Sequence, residues 1–270
     1  MNKLHLFWWN ERKIMNKSAE NYGDLLGYYL ANKVSDKKIV FAWPKKRNLL
    51  NFYRPIYLTV GSIIHNADKN CIIWGSGFIN KNMTIAPAKI CSVRGPVTRN
   101  LLTKQGHRVP KSFGDPALLL PKYYNPKVEK KYKLGIIPHY TDYKDLIKIF
   151  NNNENIKVIN LMSDDIEKTT YEILECEKTI SSSLHGLIVS HAYHIPSLWT
   201  KFSDKPFGDD MKYDDYFLSV NLEPYKIEIN LNKFNFIELE SLFEEYPCLL
   251  DKDVLKEIQN DLLLSCPFIE

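Results

Sequence analysis

No stretch of this chain approaches the roughly 18 consecutive apolar residues that a membrane-crossing helix requires. The N-terminal Met1-Asn2-Lys3-Leu4-His5-Leu6-Phe7-Trp8-Trp9-Asn10 has too short an apolar core for a secretory signal and no small-residue cleavage site, so a cytoplasmic protein is expected. Cysteine is scarce. The five residues Cys71, Cys91, Cys176, Cys248 and Cys266 form no C-x-x-C pair and are odd in number, which argues against a zinc knuckle or a disulfide framework and leaves them as apolar fillers. There is no G-x-S-x-G elbow, P-loop or H-E-x-x-H, and the one D-x-D, Asp251-Lys252-Asp253, sits at a helix start, so metal-dependent chemistry is not expected. Lys45, Lys46 and Arg47 are the single run of three adjacent basic residues in a chain of net charge +4, which is no nucleic-acid footprint. A basic face would still favour an anionic membrane surface or a phosphorylated substrate.

What is present is an ordinary globular composition, 44% hydrophobic and 25% charged over 270 residues, long enough for one large or two medium domains. Apolar runs at 4–9, 38–42, 71–74, 90–93, 134–138, 157–161 and 178–180 alternate with helical patterns at 24–33, near Ser62, and at 96–104, 143–151 and 165–176. Such alternation predicts an α/β protein with parallel sheets and with sites at the carboxyl ends of strands. Residues 121–133 are polar and carry two prolines, as a linker does, so two α/β domains are expected, at 1–122 and 133–230. Residues 231–270 then supply two helices, 234–246 and 251–264, the second N-capped by Asp251 and both folding back across the junction.

Residues 178–199 read as strand, polar turn, helix and strand around His185. Ser181, Ser182 and Ser183 can cap the helix beginning near Leu184, and its free N–H groups seat a phosphate or carboxylate beside the imidazole. Asn21-Tyr22-Gly23-Asp24 precedes the first long helix, where Asp24 either caps or faces a substrate hydroxyl. Arg94, between a strand and the next helix, is the better anion ligand of its segment, and Arg99 a surface ion-pairing residue. Asp115, fixed before Pro116, reads as a structural hydrogen-bonding group, and His139 closes the strand that opens the second half. Trp74-Gly75-Ser76-Gly77-Phe78 lacks the third glycine of a dinucleotide fingerprint, so nicotinamide binding is rejected and a tight turn remains.

In order and spacing, Asn21 to Asp24, Ile73 to Phe78, Ser92-Val93-Arg94-Gly95-Pro96, Gly114 to Leu118, Ser181 to Gly186 and the run Lys212 to Ser219 resemble the polysaccharide pyruvyl transferase family over about residues 4–220. The resemblance implies two Rossmann-like domains with an interdomain cleft, similar to GT-B glycosyltransferases. It implies phosphoenolpyruvate as donor, a sugar of a bacterial surface polysaccharide (capsule or exopolysaccharide) or its lipid-linked precursor as acceptor, and a pyruvate ketal as product. By that resemblance His185 and Asp24 are catalytic. Arg94, Ser183, Leu184, His139, Lys205 and Lys212 hold the donor, and Asn21 and Tyr22 face the acceptor. No metal or organic cofactor is implied, and a lipid-linked acceptor would bring the chain to the inner face of the cell membrane. Many members carry arginine where this chain has Ser183, which moves donor binding onto Arg94, the helix N-terminus, Lys205 and Lys212. The residues alone also suit a GT-B glycosyltransferase with a nucleotide-sugar donor, or, more distantly, a non-catalytic carbohydrate-binding protein.

Overall fold

The computed structural model describes residues 3–47, 52–150, 152–229 and 236–269. Its first half runs β1 (Lys3–Phe7), α1 (Glu11–Met15), α2 (Tyr22–Val34), β2 (Lys38–Phe41), β3 (Ile56–Leu58), β4 (Cys71–Trp74), β5 (Lys89–Ser92) and α3 (Pro96–Lys104). A 3-10 turn at Pro116–Leu119 leads into α4 (Leu120–Tyr123). The second half runs β6 (Tyr132–Ile137), α5 (Tyr143–Phe150), β7 (Ile156–Val158), α6 (Ile166–Leu174), β8 (Cys176–Ser181), α7 (Leu184–Ala192), β9 (Ser197–Lys201), α8 (Met211–Ser219) and β10 (Ile227–Glu228). The helices α9 (Phe236–Glu245) and α10 (Lys252–Leu264) complete it.

Each half holds one five-stranded parallel sheet, ordered β2-β1-β3-β4-β5 in the first and β10-β9-β8-β6-β7 in the second. The inner strands β3 (Ile56–Leu58) and β4 (Cys71–Trp74) are apolar throughout, as strands of a parallel sheet covered on both faces are. Counted within each half, both sheets have the same order, so each has one switch point where successive crossovers leave in opposite directions. These lie between β1 and β3 and between β6 and β8. A ligand is therefore expected beyond the carboxyl ends of these four strands.

The helix starts follow from local chemistry. Asn21 caps α2, its Oδ1 accepting from the N–H groups of Gly23 and Asp24. Asp251 caps α10 in the same way, through Asp253 and Val254. Ser183 occupies the N-cap position of α7 but makes no side-chain cap. The expected serine cap fails because the neighbouring hydroxyls are spent elsewhere: Ser181 Oγ accepts from Ser183 N, and Ser182 Oγ accepts from His139 N. The expected helix near Ser62 is a single 3-10 turn at Ile64–Asn66. Strand β3, only three residues long, carries too little periodicity to be found in the sequence, and α1, α8 and β10 were likewise not foreseen.

Three buried clusters organise the packing. One lies around the first sheet (Phe7, Leu58, Ile73), one around the second (Leu134, Ile136, Leu198). The largest joins the halves: Leu26 and Leu30 of α2, Leu118 to Leu120 and Leu187 and Ile188 of α7 belong to one apolar body. Tyr22 Oη and Thr170 Oγ1 bond across it at 2.8 Å. Within the polar segment 121–133, Lys130 Nζ donates to the carbonyls of Leu174 and Cys176 at 2.9 and 2.6 Å. Leu239 of α9 packs on the second sheet. The following helix, α10, reaches the first half, where Trp74 Nε1 donates to Leu262 O and Gln259 Nε2 to Leu118 O.

Candidate active site

A cavity of about 380 Å³ lies where the two switch points face each other. Trp9 and Glu11 enter it from beyond β1, Asn21 and Asp24 from the start of α2, and Ser62, Ile63 and His65 from the loop after β3. From the other half come His139, Tyr140 and Thr141 after β6, Ser183, Leu184 and His185 after β8, and Lys205, Phe207 and Lys212 from the segment leading into α8.

His185 is almost wholly buried. Its ring lies against the first turn of α2, and only glycine fits there: a Cβ on Gly23 would stand 2.2 Å from His185 Nδ1. Its Nε2 faces Asp115 Oδ2 at 3.5 Å. Asp24 keeps partial exposure to the cavity but is otherwise enclosed by protein, and burial pushes its carboxyl up to about 7, with His185 opposing the rise and Glu11 adding to it. A carboxyl that titrates near neutrality beside an imidazole is equipped for proton transfer. Burial brings the Lys212 ammonium down to about 8, the Arg94 charge assisting, and no carboxylate among the described residues lies within ion-pair distance of it. Lys212 thus presents a cation to the cavity next to the uncapped N-terminus of α7. His139 is pushed down to about 4 by burial and then by Lys212 and Lys17, so it is neutral at pH 7, with Nδ1 bonded to Thr141 Oγ1 at 2.8 Å.

Of the residues singled out in the sequence, Asp24, Asn21, His139, Ser183, Leu184, His185, Lys205 and Lys212 line one cavity. Arg94 does not. Its guanidinium is fully buried and divided among Asp215 Oδ2 at 3.0 Å, Ser62 Oγ at 2.6 Å and Phe78 O at 2.7 Å, which corrects the expectation that it holds the donor directly. Through Ser62 it stands behind the cavity wall, and its charge reaches Lys212. Tyr22 is also displaced from its expected role, because its hydroxyl is engaged with Thr170 beneath the cavity floor. The Lys205 ammonium is drawn to Asp145 at 2.8 Å and Asp142 at 3.7 Å, which leaves Lys212 as the cation without an acid. The turn Gly75 to Gly77 serves Arg94 rather than a ligand: a Cβ on Gly77 would meet the guanidinium carbon at 2.5 Å.

Sequence reasoning missed Trp9, Glu11, Ser62, His65 and Phe207. His65 and Ser62 follow the strand that was not foreseen, and no motif marks them. The Gly61-Ser62 pair was the available signal, since Gly61 has a φ of 107° at the strand's carboxyl end.

Two Rossmann-like parallel sheets, with residues beyond both switch points lining one polar, titratable cavity, define an α/β protein. Residues 5–201 match the polysaccharide pyruvyl transferase family, and the chain belongs to it. A protein of Acanthamoeba polyphaga mimivirus described as "Uncharacterized protein L143" is 32% identical over 253 residues, covering 90% of this chain and 86% of that relative. Family membership indicates a pyruvyltransferase of polysaccharide biosynthesis, with a polysaccharide as acceptor.

Proposed function

We propose that this chain transfers pyruvate from phosphoenolpyruvate to a sugar of a surface polysaccharide or its lipid-linked precursor, forming a ketal across two hydroxyls in a GT-B-like cleft between two domains. The observation that carries this reading is the convergence of Asp24 and His185 on a cavity that also holds Lys212 and the uncapped start of α7. A donor with a phosphate and a carboxylate needs two anion seats, and Lys212 and the α7 N–H groups supply them without the arginine absent at Ser183. His185 delivers a proton to the methylene carbon of the enol phosphate. An acceptor hydroxyl gives its proton to Asp24 and bonds to the neighbouring carbon; the carbon–oxygen bond to phosphate then breaks, the leaving phosphate taking the proton from Asp24, and the second hydroxyl closes the ketal and returns its proton to His185. Asn21 borders the acceptor, and Trp9 and Phe207 offer aromatic surface to a sugar ring. No step in this scheme calls for a metal or an organic cofactor.

A cytoplasmic donor places the reaction in the cytoplasm, and a lipid-linked acceptor places it at the membrane face. No helix among the described residues is long and apolar enough to cross a membrane. We propose that contact with that face runs through exposed Lys45, Lys46 and Tyr53.

The purified chain should release inorganic phosphate from phosphoenolpyruvate when a suitable glycan is added, and His185→Gln should slow turnover about 10²–10⁴-fold with little change in melting temperature. Release of a nucleotide from a sugar nucleotide would instead identify a glycosyltransferase, and neither product a binding protein.

A further inference from the structure

His185 and Asp115 stand out because each has a buried polar atom without a hydrogen bond and the two atoms approach each other. Asp115 is fully buried at the N-cap of the 3-10 turn Pro116–Leu119. Its Oδ1 accepts from Ala117 N at 2.9 Å, but its Oδ2 is closed off from solvent without a hydrogen bond. Nε2 of His185 is closed off in the same way, and the two atoms lie 3.5 Å apart. That separation exceeds a formed hydrogen bond, yet the approach suits a pair that tightens when ligand closes the site. Leaving both groups unpaired in the interior is costly. The other nitrogen, Nδ1, lies over Gly23 at the start of α2, one residue from Asp24, and unlike Nε2 it is not among the closed-off, unbonded atoms.

We propose that Asp115 is a positioning residue which holds His185 as its Nε2–H tautomer, so that proton transfer in the cavity runs through Nδ1. The chemical role rests on the pyruvyl-transfer reading; the pairing itself does not. In the transfer step the imidazolium gives its Nδ1 proton to the substrate's methylene carbon and remains as the neutral ring with Nε2–H toward the carboxylate. Asp115 takes no proton in the step and fixes which nitrogen is left bare afterwards. Asn21, Gly23 and Asp24 then act on the Nδ1 side alone.

Asp115→Asn separates this from a merely structural acid. Its Oδ1 still accepts from Ala117 N, which leaves the amide NH₂ where Oδ2 stood. A donor there turns Nε2 into an acceptor and drives the ring to the Nδ1–H tautomer. Nitrogen-15 spectra of histidine-labelled protein, assigned by loss of a signal in His185→Gln, should show Nε2–H in the native chain and Nδ1–H in Asp115→Asn. With phosphoenolpyruvate and acceptor, kcat should fall about 10²–10⁴-fold while KM for the donor stays within a few-fold. If Asp115→Asn does not fold, Asp115→Ser keeps an oxygen for Ala117 N and should abolish the Nε2–H preference. A native Nδ1–H ring, an unchanged tautomer in the variants, or a switched tautomer with native kcat each overturns the proposal. The spectra require no substrate, so failure of the pairing is distinguishable from failure of the pyruvyl-transfer reading.

Discussion

With burial holding its carboxyl at about 7, Asp24 is divided between acid and carboxylate at neutral pH, so under the proposed transfer, with Asp24 as base, kcat/KM should rise with pH up to about 7. The same burial has a stability consequence of fixed sign. The native side chain retains a proton that the unfolded one loses near pH 3.9, so stability declines between about pH 4 and 7 and is level above that. Asp24→Asn should therefore raise stability at pH 8 by on the order of 1–2 kcal/mol, allowing for water in the cavity, and leave it unchanged at pH 3.5. Denaturant melts at the two pH values check this, and equal effects at both would show that Asp24 is not held protonated. Lys212→Gln should weaken phosphoenolpyruvate binding by about 1.5–3 kcal/mol, a loss readable by calorimetric titration, because the buried cavity offers no other unpaired ammonium among the described residues.

At the scale of elements, α8 belongs to the second half but is clamped on the first. Asp215 Oδ1 accepts from Thr98 N at 2.8 Å and Oδ2 from Arg94 and the Thr98 hydroxyl, while the Asp215 backbone packs so closely on Gly95 that no Cβ would fit. This clamp fixes where Lys212 enters the cavity. Removing either member leaves an uncompensated buried charge, so Arg94→Ala should cost about 3–5 kcal/mol of stability, with weaker donor binding following from displaced Lys212. A normal melting temperature would rule out the clamp. The helix that starts with the cavity-lining His185 also ends in a buried histidine. His191 bonds Tyr216 Oη at 2.9 Å and Ser197 O at 3.2 Å, and burial pushes it down to about 4. Unfolded histidine titrates near 6.5, so this contribution is intact above pH 6.5 and is lost progressively down to about pH 4. His191→Gln should flatten the fall in melting temperature between pH 7 and 4.5, at the expense of lower stability at pH 7.

The whole molecule contains two sheets but not two independent cores. The cluster joining α2, the 116–120 turn and α7 is the largest, and α10 closes onto Trp74 and Leu118 after its chain has left the second half. Both halves should therefore unfold in one transition, with calorimetric and van't Hoff enthalpies agreeing. Two resolved transitions would mean that the shared cluster contributes little.

Regular elements and their order were legible because apolar runs, caps and helix periodicity are local: β4 at Cys71–Trp74 and α3 at Pro96–Lys104 coincide with the sequence reading, as does the Asp251 cap. The ordered motifs sufficed to recognise the polysaccharide pyruvyl transferase family. Which polar groups face ligand was decided by tertiary structure alone. Arg94 and Lys212 both read as anion-binding cations, and only the arrival of Asp215 from a helix more than a hundred residues later spends one and leaves the other open. Asp115 reads as a turn acid until the fold sets His185 against it. Caps and hydrophobic periods are properties of neighbours along the chain, whereas charge pairing and burial belong to neighbours in space, which the crossovers between strands determine.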